Sequence, residues 1–384
     1  MRGSDSIKLE CNKTIELIKE NINPHKSFDY FLNTIKNYYD TLLVAHNKPR
    51  LIILDYFFPE EIIRALDVNY YYVFGGSFEA TLLCPSIVPK RIDDGTKSII
   101  GILESLSLNQ DDAILVPLVN DNMRKLGSLF DGVTNVITYE VIENENRYIQ
   151  EIKRVSKKIR KHFKTKLSNY RLKKECNISK QIASHFLKLE KIHNEESSSL
   201  SSIEFLCVSN AYFMSNNKLE WCSHVDELIN EIEVKKEKKR TGLLIFGSPI
   251  YFPNYKILIA LIKERIDIQR FIHPDHEFLK VFRDFSNKIT INIIVKQYFN
   301  SNLFKLFFNG FTNLVVNECH KYKGLLGYII KGQINNDTQY KLIENSLIDN
   351  NDVSINKIET INNNIFFPSL CSIYFIVSNI SSSL

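Results

Sequence analysis

Polar residues follow several short apolar runs of this sequence, at points where a buried strand would end. Cys319 and His320 come directly after the strand-like segment TNLVVNE. A thiol at such a turn can have a lowered pKa and act as a nucleophile or a metal ligand. Side chains of neighbouring residues seldom face each other, so a catalytic Cys–His pair is disfavoured. A small apolar role for Cys319 at a strand edge is an equally good interpretation.

Four other strand-like segments end in residues that could contact a ligand. These ends are Asp55–Glu60, Gly75–Gly76, Asn120–Asp121 and Gly247–Pro249. In α/β proteins, ligands bind at the carboxyl ends of parallel strands, so these positions are the natural candidates.

The segment GLLIFGSPIYFPNYKILIALIKE is mainly a joint between a strand and a helix. It has neither the P-loop spacing nor G-x-G-x-x-G. Pro249 and Pro253 each remove an N–H group that a phosphate cradle would use. Asn254 suits the N-cap of the following helix. Ser248 and Pro249 would then form, at most, one edge of a ligand site.

The segment His273-Pro-Asp-His276 has a loose metal-like spacing without a nearby cysteine. Zinc sites usually carry a more complete set of closely spaced ligands. We therefore expect a surface loop here in preference to a metal site.

The elements that position these residues are indicated by hydrophobic periodicity. Residues 6–46 have the three- and four-residue spacing of two helices. Apolar runs of strand length then alternate with helical segments up to residue 140, which is typical of a parallel sheet covered on both faces. Residues 144–233 are helical, and the alternation returns at TGLLIFG, IDIQRFI and TNLVVNE.

The sequence thus predicts an α/β fold with two Rossmann- or flavodoxin-like parallel-sheet domains, an N-terminal helical part and a helical insert. The predicted boundaries are 1–48 for the N-terminal helices, 49–143 for the first α/β domain, 144–240 for the insert and linker, and 241–384 for the second α/β domain. The cleft between two such domains is the expected site.

The net charge of +5 is too small to indicate nucleic acid by itself. The run 153–174 is basic and lacks acids, and we expect a solvated helix face in preference to an anionic partner. No run approaches the length of a membrane span, so no membrane partner is expected. The seven cysteines form no C-x-x-C pair, which favours free thiols and a cytoplasmic location.

Four segments together resemble the 2-hydroxyacyl-CoA dehydratase/benzoyl-CoA reductase family. They are LIILDYFFPEEIIRALDVNYYYVFGGSFE, DAILVPLVNDNMRKLGSLF, GLLIFGSPIYFPNYKILIALIKE and FTNLVVNECHKYKG, in the family's order. The resemblance implies two α/β domains and a 4Fe–4S cluster held in the cleft by three cysteines. It also implies a heterodimer of homologous subunits, an ATP-dependent activator and an acyl-CoA substrate.

The chain departs from the family at two of the three cluster positions. Asn120-Asp121 stands where the family has Cys-Asp, and Asp93-Asp94-Gly95 stands near an earlier ligand position. Cys84 lies too early in the sequence to replace that ligand. Cys319 alone matches a cluster cysteine. Carboxylate and amide oxygens are hard donors, whereas iron–sulfur clusters favour thiolates. The cluster is therefore expected to be absent or held by the partner subunit.

The predicted function is that of a divergent subunit of such a complex, paired with a cluster-bearing homologous subunit or with itself. The predicted catalytic residues are Glu60 and Cys319, and the cofactor-binding positions are Cys319, which is also the candidate metal ligand, Asp94 and Asn120. The predicted substrate-cleft residues are Gly75, Gly76, Asp121, Ser248 and Pro249. A self-sufficient enzyme without a cluster, using Cys319, Glu60 or Asp121, and a non-catalytic scaffold or assembly protein are the alternatives.

Overall fold

A computed structural model describes most of the first 309 residues and three later strands. The described residues are 3–22, 24–44, 46, 48–89, 91–195, 198–232, 243–247, 249–255, 258–259, 268, 270–281, 289–309, 326–330, 354–356 and 373–377. Ser248 and Cys319, two of the predicted site residues, lie outside these ranges.

Two helices begin the described chain, as the sequence predicts. Helix α1 spans Gly3–Asn21 and α2 spans Asp29–Leu42, with a 3-10 turn at Lys26–Phe28 between them. Helix α2 buries apolar residues spaced three and four apart, among them Phe31 and Ile35. This face packs against the rest of the protein.

Helix α1 buries one face of its surface. Ile7, Cys11 and Ile18 are buried, whereas Leu9 and Leu17 are exposed. The buried positions repeat every three or four residues, and Leu9 and Leu17 lie outside that repeat.

The first half of the chain forms the parallel sheet that its apolar runs predict. Strands β1 (Arg50–Ile53), β2 (Asn69–Tyr72), β3 (Ala113–Pro117) and β4 (Asn135–Tyr139) lie in the order β2-β1-β3-β4, and all three pairs are parallel. Strands β1 and β3 are buried at every position, as expected for central strands covered on both faces. The strand order reverses between β1 and β3, so the topological switch point lies there.

Helices connect these strands and cover the sheet. Their bounds are Glu60–Leu66 for α3, Phe78–Leu82 for α4, Asp94–Ser105 for α5 and Asp121–Phe130 for α6. The side chains of Ser77, Asp93 and Asn120 each accept a backbone N–H group in the first turn of α4, α5 and α6, respectively. These caps determine where the loops after β2 and β3 end.

The segment between the two sheets is helical, as predicted. Its helices are α7 (Glu145–His162), α8 (Asn169–His193), α9 (Ser202–Met214) and α10 (Lys218–Glu231). Helix α9 is buried along nearly its whole length, which is typical of a helix in the centre of a protein. A capping box of Ser201 and Glu204 starts it.

The basic run 153–174 covers the end of α7, a turn and the start of α8. Most of its lysines and arginines are exposed, whereas Val155, Ile159 and Leu172 are buried. The prediction of a solvated helix face is therefore confirmed.

The second half forms a mixed sheet. Strands β5 (Leu243–Gly247), β6 (Arg270–Ile272), β7 (Leu326–Ile330), β8 (Ser354–Asn356) and β9 (Ile373–Val377) lie in the order β6-β5-β7-β9-β8. Strands β6, β5 and β7 are parallel, and β9 runs antiparallel to β7 and β8. The α/β class is confirmed, and the antiparallel strand β9 with its neighbour β8 is an addition to the parallel sheet that the sequence predicts.

The strand predicted at 312–318 lies outside the described residues, and β7 pairs with β5. Three helices are described in this half: α11 (Pro274–Leu279), α12 (Ile291–Phe299) and α13 (Asn302–Asn309). None of the helices in the described ranges is long and apolar enough to cross a bilayer.

The segment after β5 joins the two halves of the molecule. The hydroxyl of Tyr39 donates to the carbonyl oxygen of Phe252 at 2.9 Å, and the amide of Phe252 donates to Oδ1 of Asn210 at 2.8 Å. Thr14 Oγ1 donates to the carbonyl oxygen of Pro253 at 3.4 Å. Helices from the N-terminal part and the insert therefore hold the second half in place. The domain boundaries given by the sequence stay a prediction.

Candidate functional site

Asp55 lies at the switch point of the first sheet, just beyond β1. Its Oδ1 accepts hydrogen bonds from the hydroxyl of Tyr139 at 2.7 Å and from the amide of Phe57 at 3.2 Å. Burial raises the pKa of Asp55 to about 7, and the bonds from Tyr139 and Phe57 limit the rise. A carboxyl group with this pKa could exchange a proton near neutral pH.

The loop after β2 is closed by the protein itself. A Cβ atom at Gly76 would lie 2.6 Å from the carbonyl oxygens of both Tyr251 and Phe252. A Cβ atom at Gly75 would lie 2.1 Å from the carbonyl oxygen of Gly95. The two glycines therefore let one backbone approach another. Backbone occupies the space on the side of the missing Cβ atoms, and a place for Gly75 and Gly76 in a substrate cleft stays a prediction.

The loops before α5 and α6 meet, and both correspond to cluster positions in the resemblance. Asp93 caps α5 through the amide of Thr96 at 2.8 Å and also accepts a hydrogen bond from the side-chain amide of Asn122. Asn120 caps α6 through the amide of Met123 at 2.9 Å. Both side chains therefore have a structural role at the start of a helix.

The neighbouring acids in these loops are less buried. Asp94 forms an ion pair with Lys97 at 2.8 Å. Asp121, the first residue of α6, is exposed. The bond from Asn122 to Asp93 shows that the loop of Asp94 adjoins the loop of Asn120, and a role of Asp94 and Asn120 in cofactor binding stays a prediction.

The described residues at these positions do not fit an iron–sulfur cluster. The two loops offer carboxylate and amide oxygens in place of thiolates, and those oxygens are harder donors than the cluster prefers. Cys84 is the partly exposed thiol among the described cysteines, and burial raises its pKa, which disfavours the thiolate. Cys319, the predicted cluster cysteine, lies outside the described ranges.

Tyr251, which follows β5, closes the junction between the two sheets. Its ring stacks on Phe74 with centroids 4.5 Å apart, and its hydroxyl interacts with Tyr56 after β1. A cavity beside these rings, lined mainly by aromatic side chains and Asn210, has room for about one water molecule. A CoA thioester needs a far larger space.

The predicted ligand turn at Gly247–Pro249 is described in part. Gly247 has a φ of +117°, a conformation that favours glycine, and Pro249 is partly buried. Of the helix predicted from Asn254, Leu258 and Ile259 are described, and both are helical and buried. The position of Ser248 in the cleft stays a prediction.

Glu60, a predicted catalytic residue, is 1% exposed and lies in a fully paired group that we call the Glu60 cluster. Its carboxylate accepts hydrogen bonds from Arg64 at 2.5 Å, from Tyr70 at 2.8 Å and from Tyr212, and Nζ of Lys218 lies 3.5 Å away. Burial opposes ionisation, but the charges of Lys218 and Arg64 outweigh it and lower the pKa of Glu60 to about 2. A carboxylate held in this way is a poor proton acceptor, so its environment does not fit the predicted catalytic role.

His273, Asp275 and His276, which we call the His–Asp–His triad, are buried. The expectation of a surface loop is therefore wrong. His273 directly follows β6, and Pro274 opens α11 at the position where proline is favoured. Burial lowers the pKa of His273 to about 3 and raises that of Asp275 to about 7. The sequence signal for burial was the position of these residues directly after the strand-like segment IDIQRFI.

A comparison with protein-family models supports the resemblance. Residues 55–355 match the model of 2-hydroxyglutaryl-CoA dehydratase, D-component. A search of curated proteins finds no match. The matched range includes the switch point, the helical insert and the parallel strands of the second sheet. The chain therefore belongs to the 2-hydroxyglutaryl-CoA dehydratase D-component family.

Proposed function

We propose that this chain is a dehydratase-like subunit that holds no cluster of its own and pairs with a homologous subunit that does. The observation that carries this proposal is the pair of joined capping loops. Asp93 and Asn120 stand at the cluster positions, each starts a helix, and Asn122 links the loops through Asp93. The chain would contribute packing and part of a shared surface to the active site of the pair.

The substrate would be an acyl-CoA ester or a related small molecule, and an ATP-dependent activator would serve the cluster-bearing partner. The small cavity at Tyr251 has no room for a thioester, so the proposed substrate site lies elsewhere, at the surface shared with the partner chain. The free thiols among the described cysteines suit the reducing cytoplasm, which we propose as the compartment.

A self-sufficient enzyme without a cluster is the second candidate. The pKa of Asp55, raised to about 7 by burial, favours it, because this value suits a general acid or base at neutral pH. The closed loop at Gly76 favours the third candidate, a scaffold or assembly protein without a catalytic site.

Anaerobic purification followed by treatment with iron and sulfide tests the proposal. We expect far less than four iron and four sulfide per chain when the protein is alone. With a homologous chain that retains three cluster cysteines, an activator and ATP, dehydration of a 2-hydroxyacyl-CoA ester should require both chains. A full cluster on the isolated chain, or equal activity of the homologous chain without it, contradicts the proposal.

A further inference from the structure

The His–Asp–His triad is a second group of chemically capable residues, separate from the loops that correspond to the family's cluster. One ligand atom from each of His273, Asp275 and His276 lies within 4.8 Å of the others. The exposed fractions of the three residues are 0%, 1% and 0%. Two imidazoles and a carboxylate therefore converge in the interior, next to the end of β6.

Five of the six polar side-chain atoms of the triad have no hydrogen-bond partner among the described residues. These atoms are both ring nitrogens of His273, both carboxylate oxygens of Asp275 and Nδ1 of His276. The backbone amides of His276 and Asp275 lie near the carboxylate and lower its pKa, but neither makes a hydrogen bond of normal geometry with it. An unpaired buried polar group costs about 1–3 kcal/mol. A cost repeated over three adjoining residues indicates that a binding partner belongs between them.

Ser209 determines which nitrogen of His276 can bind that partner. The Ser209 hydroxyl lies 3.1 Å and 3.0 Å from the carbonyl oxygens of Phe205 and Leu206, to which it donates its one proton. With that proton directed to a carbonyl oxygen, the hydroxyl oxygen accepts a hydrogen bond from Nε2 of His276, 3.1 Å away. In this tautomer the proton of His276 is on Nε2 and the lone pair is on Nδ1, the unpaired atom. Metal-binding histidines are typically oriented by such a donation from their other nitrogen.

The local charges agree with a cation between the three side chains. Lys280 is the nearby cationic residue, and its ammonium is already paired with Glu190 at 2.7 Å and Glu277 at 2.5 Å. The carboxylate of Asp275 is not part of that group. It therefore stays available to balance the charge of an ion.

We propose that His273, Asp275 and His276 bind one divalent transition-metal ion, with zinc as the best fit. Two imidazoles and a carboxylate form a ligand set of zinc sites and of non-haem iron sites. Metal–ligand distances of about 2.0–2.2 Å require each ligand atom to move inward by less than about 1 Å. Three protein ligands leave a coordination position for water or a small ligand, and Tyr56 and Tyr251 lie close enough to interact with Asp275 there.

Metal binding by the full chain tests this proposal without any partner subunit. After chelator treatment and dialysis, the protein is titrated with Zn²⁺ and separately with Co²⁺, and bound metal is counted by mass spectrometry. We expect one ion per chain. X-ray absorption at the zinc edge should show nitrogen and oxygen ligands at about 2.0–2.2 Å and no sulfur at about 2.3 Å. No bound zinc, or zinc held by sulfur, overturns the proposal.

Matched variants locate the ion. Asp275→Asn keeps the shape of the side chain, and His276→Phe keeps an aromatic ring. Loss of a residue that orients a metal ligand typically weakens metal binding by about 10–100-fold, and we expect Ser209→Ala to weaken zinc binding to this extent. Asp275→Asn and His276→Phe each remove a ligand, so each should weaken zinc binding further. His162→Phe is the control, because the ring of His162 contacts the side chain of Asn135 at 2.9 Å and the carbonyl oxygen of Asp111 at 2.8 Å, in the first half of the chain.

The control should bind zinc as tightly as the unchanged protein. Circular dichroism establishes which variants are folded. If His276→Phe does not fold, the zinc affinity of Asp275→Asn tests the proposal. Unchanged zinc affinity in folded Asp275→Asn overturns the proposal. The X-ray absorption spectrum of the unchanged protein tests the proposed zinc ligands without any variant. A failure of this site would leave the proposed pairing with a cluster-bearing subunit untouched, because that pairing rests on the loops at Asp93 and Asn120.

Discussion

The Glu60 cluster and the His–Asp–His triad are both buried polar groups, but they are paired in opposite ways. Glu60 is surrounded by two cationic residues and two tyrosines that bind its carboxylate. The carboxylate of Asp275 has no hydrogen-bond partner within the described residues. Burial is costly for both groups, and internal partners offset that cost in the Glu60 cluster alone.

This difference separates a structural role from a binding role. In the Glu60 cluster, α3 is connected to β2 through Tyr70 and to the helical insert through Tyr212 and Lys218. Arg64 extends the group to Glu175 on α8 at 2.9 Å. Within the part of the chain that the structure describes, the triad makes no comparable set of connections. A complete hydrogen-bond network needs no added ligand. The triad has unpaired nitrogen and oxygen atoms that could coordinate a metal ion.

The largest effect is expected when Glu60 is removed. Glu60→Ala should lower the free energy of unfolding by about 3–5 kcal/mol, because it leaves Lys218 and Arg64 buried without their common partner. Urea denaturation measures this. Arg171→Ala, which removes the exposed pair with Asp67, is the control and should cost less than about 1 kcal/mol. Equal losses of unfolding free energy in Glu60→Ala and Arg171→Ala would show that the Glu60 cluster does not stabilise the contact between α3 and the helical insert.

A pH titration of stability distinguishes the two kinds of buried carboxyl group. The pKa of Glu60 falls from 4.5 to about 2 on folding, so its stabilising contribution is complete above about pH 4.5 and is lost as the pH falls towards 2. The pKa of Asp55 rises from 3.8 to about 7, so its contribution is complete below about pH 3.8 and is lost as the pH rises towards 7.

The measurement is the free energy of unfolding of the protein, Glu60→Gln and Asp55→Asn from pH 2 to pH 8. The cost of Glu60→Gln should shrink below about pH 4.5, and the loss of stability between about pH 4 and pH 7 should be smaller in Asp55→Asn. A cost of Glu60→Gln that does not change with pH would contradict the assignment of a charged Glu60.

Zinc should raise the free energy of unfolding of the protein by binding at the triad, without binding at the Glu60 cluster. At a free zinc concentration 100 times the Kd, a site that forms in the folded state adds about 2.7 kcal/mol. Thermal unfolding with and without zinc measures this gain. Asp275→Asn should show almost none of it, and Mg²⁺ should have little effect on the unchanged protein because it prefers oxygen ligands. A zinc effect of equal size in Asp275→Asn would place the ion elsewhere.

Gly76→Ala examines the closed junction beside the triad. Its Cβ would lie 2.6 Å from two backbone oxygens, so we expect a loss of about 1–3 kcal/mol in unfolding free energy, as for other overpacked sites. Gly127→Ala in α6 is the control, because its nearest contact would be an ordinary 3.7 Å. The free energy of unfolding of Gly127→Ala should rise by about 0.5–1 kcal/mol. If Gly76→Ala is neutral, the loop after β2 is not closed as described.

The smallest effect is expected at Asn120, which belongs to neither buried group. Asn120→Ala should cost about 1 kcal/mol through the loss of the cap on α6. Urea denaturation measures the loss, and zinc binding serves as a control that should not change. A loss above about 3 kcal/mol would show that the loop has a larger role than capping.

The local pattern of apolar residues in the sequence determined much of the fold. The all-apolar runs at β1 and β3 specify central parallel strands, because both faces of such strands are covered. The three- and four-residue spacing in α2 specifies its buried face. The family match agrees with the four quoted segments. These features depend on neighbouring residues or on the order of segments, so they are visible in the sequence.

The sequence by itself thus determined the class of the fold and most helices and strands, and it predicts the loss of two cluster cysteines. Tertiary structure decided the roles of individual polar residues. Glu60 meets Tyr212 and Lys218 from a distant helix, and Gly76 meets the backbone after β5. The triad is buried because other elements cover it. Pairing and burial arise from contacts between segments far apart in the chain, which the local periodicity of a sequence does not contain.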